Sequence, residues 1–271
     1  MTLEQAPDSN SVSPDMRAHI GATLRDVEHE HNVTILFAVE SGSRAWGFAS
    51  PDSDYDVRFV YVHERNWYTG LREGRDVIER PLDERLVDLA GWDVRKALRL
   101  LLKSNPPFYE WLVSPIGYCE AGPFRGAAKK LFERHASPRV LAYAYFAIAK
   151  GQRLERGVDG GDVKLKRYFY LIRPLLSLQW VIEKRTLPPM SLQQLMQGVA
   201  LSADVARAIN ELLERKRATP ELGSGRRVAL IDRWAANELE RLKPEKFDLM
   251  ESEETANLPE ADQLFRHTAG L

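Results

Sequence analysis

The sequence predicts an α+β protein, with a small mixed sheet in an N-terminal α/β unit and a unit of helices alone behind it. Three observations carry that prediction. Two continuous β-branched and aromatic runs, Val33 to Val39 and Tyr55 to Val62, have the composition of strands buried on both faces. After Gly91 the pattern changes to an apolar period of three or four residues that persists along the chain. With 271 residues and 44% apolar content, the chain can bury one good core, or a medium domain plus a smaller one.

The elements follow in order. The first residues, MTLEQAPDSNSVS, carry acids and no apolar run, which excludes a secretory signal and predicts a disordered leader over 1–13. From Pro14 to His31 the apolar residues Met16, Ile20, Leu24 and Val27 share one stripe, so an amphipathic helix starts at the proline. The two strands come next, then a polar loop at His63 to Arg75, a weak strand near Val77 to Glu79 and a third strand at Arg85 to Leu89. A helix begins in WDVRKALRLLLKSN, and a short strand near Ile116 to Cys119 is the last extended piece. Helices are predicted at Phe108 to Val113, Pro123 to His135, Pro138 to Glu155, Asp162 to Lys184, Leu192 to Val199, Ala203 to Arg217 and Arg226 to Leu242. Pro174 should kink or break the one that holds it. The expected layout is an α/β unit at 14–120, a helical unit at 121–250 and a loosely attached acidic tail at 251–271.

Charge narrows the classes. Lysine and arginine number 38 against 39 acids, a net of −1, so no global basic field recruits nucleic acid and any such contact is local. The single cysteine, Cys119, allows no internal disulfide and no cysteine zinc cluster; it fits a reducing compartment and reads as a partly buried thiol. Apolar runs such as that around LLSLQW fall well short of the roughly 18 residues of a membrane span, so a soluble, cytoplasmic protein is expected.

The informative stretch is ESGSRAWGFASPDSDYD, Glu40 to Asp56. Side chains at i and i+2 of a strand share a face, which sets Asp54 and Asp56 side by side about 7 Å apart. Two such carboxylates at the head of an apolar strand repel each other unless a cation neutralises them, and a hard divalent ion such as Mg²⁺ suits oxygen donors and substrate phosphates. The turn after the first strand supplies phosphate donors: Gly42 permits close approach, Ser43 offers a hydroxyl and Arg44 a positive charge. PDSDYD taken alone also has the composition of an ordinary turn, and D-x-D alone is weak; the Gly-Ser turn before it, at fixed distance between two apolar strands, is what raises its specificity.

Gly-Ser, ten intervening residues and then D-x-D resembles the DNA polymerase β-like nucleotidyltransferase superfamily. ESGSRAWGFASPDSDYDVRFVYV is similar to its YcgL/RlaP-type branch of predicted nucleotidyltransferases, some associated with RNA repair. GWDVRKALRLLLKSNPPFYEWLVSPI and KLKRYFYLIRPLLSLQW resemble later signatures of that branch, so the likeness spans most of residues 37–190. It implies a nucleotidyltransferase-type core with three carboxylates around two Mg²⁺ (or Mn²⁺) ions, transferring a nucleoside monophosphate from an NTP with pyrophosphate release. Asp54 and Asp56 match the first two carboxylates. For the third, Asp88 in RLVDLAG is favoured over Asp93, which is equally well explained as a cap on the helix that follows it.

Lys166, Tyr170 and Arg173 lie at i, i+4 and i+7 on one helical stripe. They are read as phosphate and base contacts, against the plainer alternative of a solvated basic face. Trp46, in a short helix between strands, is read as core rather than a base platform, and His29 and His31 as surface residues. Lys184, Arg215, Lys216 and Arg217 sit near helix C-termini, where the dipole already favours cations, and are weak evidence for RNA. Competing classes are a D-x-D glycosyltransferase, which has no use for the Gly-Ser turn, and a nucleotide- or RNA-binding module without turnover. The acceptor, whether RNA, protein or small molecule, and the oligomeric state have no signature in the chain.

Overall fold

The computed structural model describes residues 10–71, 73–152, 163–218, 223–248, 250 and 258–271. Helix α1 (Pro14–His31) starts with Pro14 in its first turn, and the Met16 N–H donates to the Ser13 hydroxyl at 3.2 Å. Strand β1 (Val33–Glu40), the four-residue helix α2 (Gly42–Ala45) and strand β2 (Tyr55–His63) follow. Next come α3 (Arg65–Thr69), β3 (Val77–Arg80), β4 (Val87–Asp93), α4 (Val94–Leu102), α5 (Pro106–Val113), β5 (Gly117–Glu120), α6 (Phe124–His135) and α7 (Pro138–Gly151). The chain continues through β6 (Val163–Lys164), α8 (Lys166–Lys184), α9 (Leu192–Gly198), α10 (Ala203–Ala218), β7 (Ser224–Gly225), α11 (Ala229–Arg241), α12 (Glu245–Asp248) and α13 (Leu258–Ala269). The α+β class is therefore what the chain adopts.

The main sheet has the order β3-β4-β2-β1-β5. β1 pairs antiparallel with β2 and β5, β3 antiparallel with β4, and β2 parallel with β4. Alternation along β2 sorts its side chains between two layers. Val57, Phe59 and Tyr61 pack with Met16, Ile20, Leu24 and Val27 of α1, while Val60 and Val62 join the larger cluster built on α4 to α7. A third cluster gathers Phe48 with Phe169, Ile172, Leu195, Ile209 and Ile231 of the later helices. Phe48 thus carries the β1–β2 connection onto the helical layer.

Several expectations need correction. The third strand runs over Val87–Asp93 rather than Arg85 to Leu89, because residues 83–86 form a turn. In that turn the Asp83 carboxylate accepts the Arg85 and Val87 N–H groups, and Leu86 takes a left-handed φ of 62°. The loop at His63 to Arg75 contains α3. Pro174 does not break its helix, since α8 runs through it from Lys166 to Lys184; the expected start at Asp162 and the end at Glu155 lie outside the described residues. Of the leader 1–13, residues 1–9 lie outside them too, but Asn10 to Ser13 are docked: Val12 is buried and the Asn10 side-chain Oδ1 accepts the Ala49 N–H. Cys119 is exposed rather than partly buried. The tail expected to be loose ends in α13, whose Ala261 and Ala269 are buried in the largest cluster and whose Phe265 meets the Tyr68 ring edge-on.

Strand β4 depends on a missing side chain. A Cβ added to Gly91 would lie 2.2 Å from the buried Phe59 ring on β2. Gly91→Ala is expected to lower stability by about 1–3 kcal/mol through overpacking. Urea unfolding measures this, and an unchanged midpoint would show that Phe59 yields freely.

Candidate functional site

The site is assembled where β1 ends. The Ser41 N–H donates to the Asp56 carbonyl at 2.8 Å and the Asp56 N–H to Glu40 Oε1 at 3.1 Å, so the strand ends are fastened together at the turn. Gly42 then takes a left-handed φ of 59°, and a Cβ there would lie 1.9 Å from Asp56 Oδ2. The glycine is demanded by a carboxylate that leaves no room for a side chain.

Asp56, Arg58 and the residues beyond them alternate with the α1-facing set, so their side chains point to the helical side of the sheet. The parallel register sets Asp56 directly beside Asp88. Arg58 lies between the two: its Nη2 donates to Asp56 Oδ1 at 3.1 Å and to Asp88 Oδ2 at 2.7 Å, and its Nη1 to the Asp88 carbonyl at 2.9 Å. Burial raises the Asp56 pKa above the ordinary carboxylate range; Arg58 opposes this, while Asp88 and Asp54 reinforce it by repulsion. Asp93 is a helix cap. One of its oxygens accepts the Arg95 N–H at 2.8 Å, the other accepts the Tyr68 hydroxyl at 2.6 Å, and the residue is buried at the start of α4.

A cleft of about 300 Å³ opens beside the aspartates. Its acidic side is Asp52, Asp54 and Asp56; Ser43, Ser50 and Ser53 line it with hydroxyls, and Lys166, Tyr170 and Lys216 form the facing wall. The hydroxyls are linked, since Ser43 Oγ donates to Ser53 Oγ at 3.3 Å and Ser50 Oγ lies 2.9 Å from the same atom. Ser43, Asp54, Asp56, Lys166 and Tyr170 are thus brought to one cavity; Asp88 is not among its lining residues and is joined to Asp56 through Arg58. The Tyr170 ring stands edge-on to Trp46 at 5.9 Å.

Two predicted phosphate contacts are elsewhere. Arg44 is buried under the turn, where Nη2 donates to the Ser53 carbonyl at 2.9 Å and the guanidinium lies 4.2 Å from the Tyr55 ring centre. It shapes the 40–55 connection instead of lining the cleft. Arg173 is also buried: Nη1 donates to Glu110 Oε1 at 2.7 Å and Nε to the Met190 carbonyl at 3.2 Å, with the guanidinium 4.5 Å from the Trp46 ring centre. Trp46 Nε1 donates to the other Glu110 oxygen at 2.9 Å. The helical stripe of Lys166, Tyr170 and Arg173 fans out at its far end, because Glu110 on α5 draws Arg173 into the packing between layers.

Sequence reasoning missed Glu40, Arg58 and Lys216. Arg58 could have been found, because it extends the D-x-D alternation by two residues on the same face. Glu40 and Lys216 become legible only through tertiary contacts. Glu40 is fully buried; it accepts the Asp56 N–H and the Tyr118 hydroxyl, and its Oε1 lies 3.7 Å from Arg44 Nε. Burial lifts its pKa to about 7, against the lowering effects of Tyr118, Arg44 and the Asp56 N–H.

The donor set suits a hard divalent cation: the cluster offers only carboxylate oxygen, and its members repel one another at Asp56. Among the described residues no three acidic, histidine or cysteine side chains already converge as a closed cage. Arg58 Nη2 instead bridges the Asp56 and Asp88 carboxylates.

The glycine-serine turn joins the antiparallel strands β1 and β2, and the parallel β2–β4 register aligns Asp56 with Asp88. Residues 16–267 match the family described as RlaP, the RNA repair pathway DNA polymerase beta family, and the chain belongs to it. It is 42% identical over 241 residues to the uncharacterized protein YcgL of Bacillus subtilis (strain 168), covering 86% of this chain and 92% of that one. The crystal structure of a nucleotidyltransferase-like protein from Exiguobacterium sibiricum 255-15 aligns over 92% of this chain and 79% of that chain, with a TM-score of 0.32 and 14% identity, a likeness too low to add to the family assignment. No helix among the described residues is long and apolar enough to cross a membrane.

Glu40 generates a pH signature. Its carboxyl titrates near 7 when folded and near 4.5 when unfolded, so between these values the folded state holds the extra proton and stability falls as pH rises. About 3 kcal/mol of stability should disappear across that window. Glu40→Gln, which keeps the neutral form, is expected to remove this slope in urea titrations at pH 5 and pH 8; an equal wild-type-to-variant difference at both values would contradict it.

Proposed function

We propose that the protein is a divalent-metal-dependent nucleotidyltransferase that moves a nucleoside monophosphate from an NTP to a hydroxyl or phosphate acceptor and releases pyrophosphate. RNA is the acceptor class that the family description favours. The single observation carrying this proposal is the register that sets Asp88 beside Asp56, which shares a cleft with Asp54, Lys166 and Lys216.

Asp54, Asp56 and Asp88 would hold one or two Mg²⁺ or Mn²⁺ ions, which when bound supply charge neutralisation at the triphosphate and a lowered pKa for the attacking hydroxyl. The chain's own groups do the rest. Ser43, with Ser53 behind it, offers a hydroxyl to a phosphate oxygen, and Lys166 stands across the cleft to draw the negative tail. Tyr170 presents the edge of the wall to the base or sugar. An acceptor oxygen then attacks the α-phosphorus, the α–β bridging P–O bond breaks, and the acceptor's proton passes to a carboxylate of the cluster. Arg58 keeps Asp88 aligned while the cleft is empty of substrate.

One feature favours a second reading, a nucleotide- or RNA-binding module without turnover: Arg58 already satisfies Asp56 and Asp88. Incubation with each labelled NTP, Mg²⁺ or Mn²⁺, and RNA or protein separates the two, because transfer releases pyrophosphate and labels one acceptor pool whereas a module only binds. Asp56→Asn is expected to lower turnover about a thousandfold, corresponding to several kcal/mol of lost transition-state stabilisation, without loss of fold. Asp88→Asn should lower turnover about a hundredfold. Asp93→Asn should instead lower stability by about 1 kcal/mol with the catalytic rate retained. Normal turnover in Asp56→Asn would overturn the assignment.

A further inference from the structure

Lys216, on the last turn of α10, is seated unlike the other lysines. The residue is buried, and its ammonium lies 5.2 Å from the Phe48 ring centre and 5.7 Å from that of Phe169. It nevertheless lines the cleft that Lys166 also lines. Among the described residues neither lysine has an ion-pair partner, although Asp52, Asp54 and Asp56 are near enough to act on Lys216 through space. Two cations side by side repel, and a desolvated ammonium costs free energy unless something anionic comes to it. The three aspartates offset this only in part and through space, whereas a ligand with several negative charges could meet both lysines directly.

We propose that Lys216 is a substrate-binding residue that, together with Lys166, holds the β- and γ-phosphates of a nucleoside triphosphate and so distinguishes it from the monophosphate. This rests on the nucleotidyltransferase reading and extends it to a residue on the helical unit. The aromatic seat is what makes the residue suitable. Phe48 and Phe169 give the ammonium a cation–π seat, and the same residue lines the cleft. A lysine held this way has little rotamer freedom left to lose when a phosphate arrives. Burial, then Lys166, depress its pKa to about 8, against the raising effect of the three aspartates, which is the expected direction for an ammonium awaiting a counter-charge. Phe48 also follows the Gly-Ser turn in sequence, so the phosphate contacts of the turn and of Lys216 are held by one short piece of chain.

The test compares full-length wild type, Lys216→Met and Lys216→Arg in direct binding of NTP, NDP and NMP at fixed Mg²⁺, with thermal unfolding run alongside. Met preserves the stem against both rings. Lys216→Met is expected to weaken NTP binding about 10- to 100-fold, the effect of losing a charge-assisted contact, and to change NMP binding less than twofold. Lys216→Arg should recover most of the NTP affinity. Unchanged NTP affinity in Lys216→Met overturns the proposal, as does an equal loss for NTP and NMP. Because binding is read without turnover, a wild type that binds NTP but transfers nothing overturns the transfer reading alone, and the tail-length dependence still decides Lys216. A wild type that binds no NTP overturns both.

Discussion

The site depends on a steric constraint: the carboxylate of Asp56 fills the space where residue 42 would carry a side chain. A Cβ at Gly42 would come within 1.9 Å of Asp56 Oδ2, and the backbone there already has the positive φ that glycine tolerates. The turn can fold tightly against β2 only because both conditions are met by one residue. Ser43 then enters the cleft, Arg44 passes beneath the turn to the Ser53 carbonyl, and Phe48 reaches the helical layer. Any residue larger than glycine would push the aspartate and the serine apart together.

Around that contact, charge is balanced in two different ways. On the sheet, Asp56 and Asp88 lie side by side and are restrained by a guanidinium from their own face, with the cleft left open for another cation. Between the layers, Glu110 and Arg173 form a buried pair completed by Trp46 and the Met190 carbonyl, which satisfies both carboxylate oxygens and much of the guanidinium. A buried pair with its hydrogen bonds filled tolerates removal of one member poorly, since the other is stranded without water. This makes Glu110 and Arg173 a structural clamp between the sheet unit and α8, and leaves Asp52, Asp54, Asp56, Lys166 and Lys216 as the charged groups that line the cleft.

Much of this was legible in the sequence where local pattern and tertiary position coincide. The stripe of α1 and the runs of β1 and β2 have periods that leave little choice, and the capping role of Asp93 could be read from its place just before VRKALRLLL. What escaped detection depends on rotation and packing. Arg173 shares a stripe with Lys166, but that spacing does not reveal that Glu110 waits on another element. Lys216 was hidden among cations at a helix C-terminus, where the dipole accounts for any of them, and only its seat between Phe48 and Phe169 sets it apart. Helix α13 was misread because acids dominate its surroundings, although Leu258, Ala261 and Phe265 keep helical spacing. The β4 boundary slipped because Leu86 adopts a conformation that leucine rarely takes, which no propensity anticipates.

The claim that most of the account depends on is that the aspartate cluster is a divalent-cation site serving a triphosphate. Crystals grown with Mn²⁺ and a non-hydrolysable NTP, measured at the manganese absorption edge, test it directly. Anomalous density is expected within coordinating distance of Asp54 and Asp56, with the triphosphate tail running toward Lys166 and Lys216. Bound nucleotide with no anomalous signal at these aspartates, and with Arg58 still bridging Asp56 and Asp88, would contradict it.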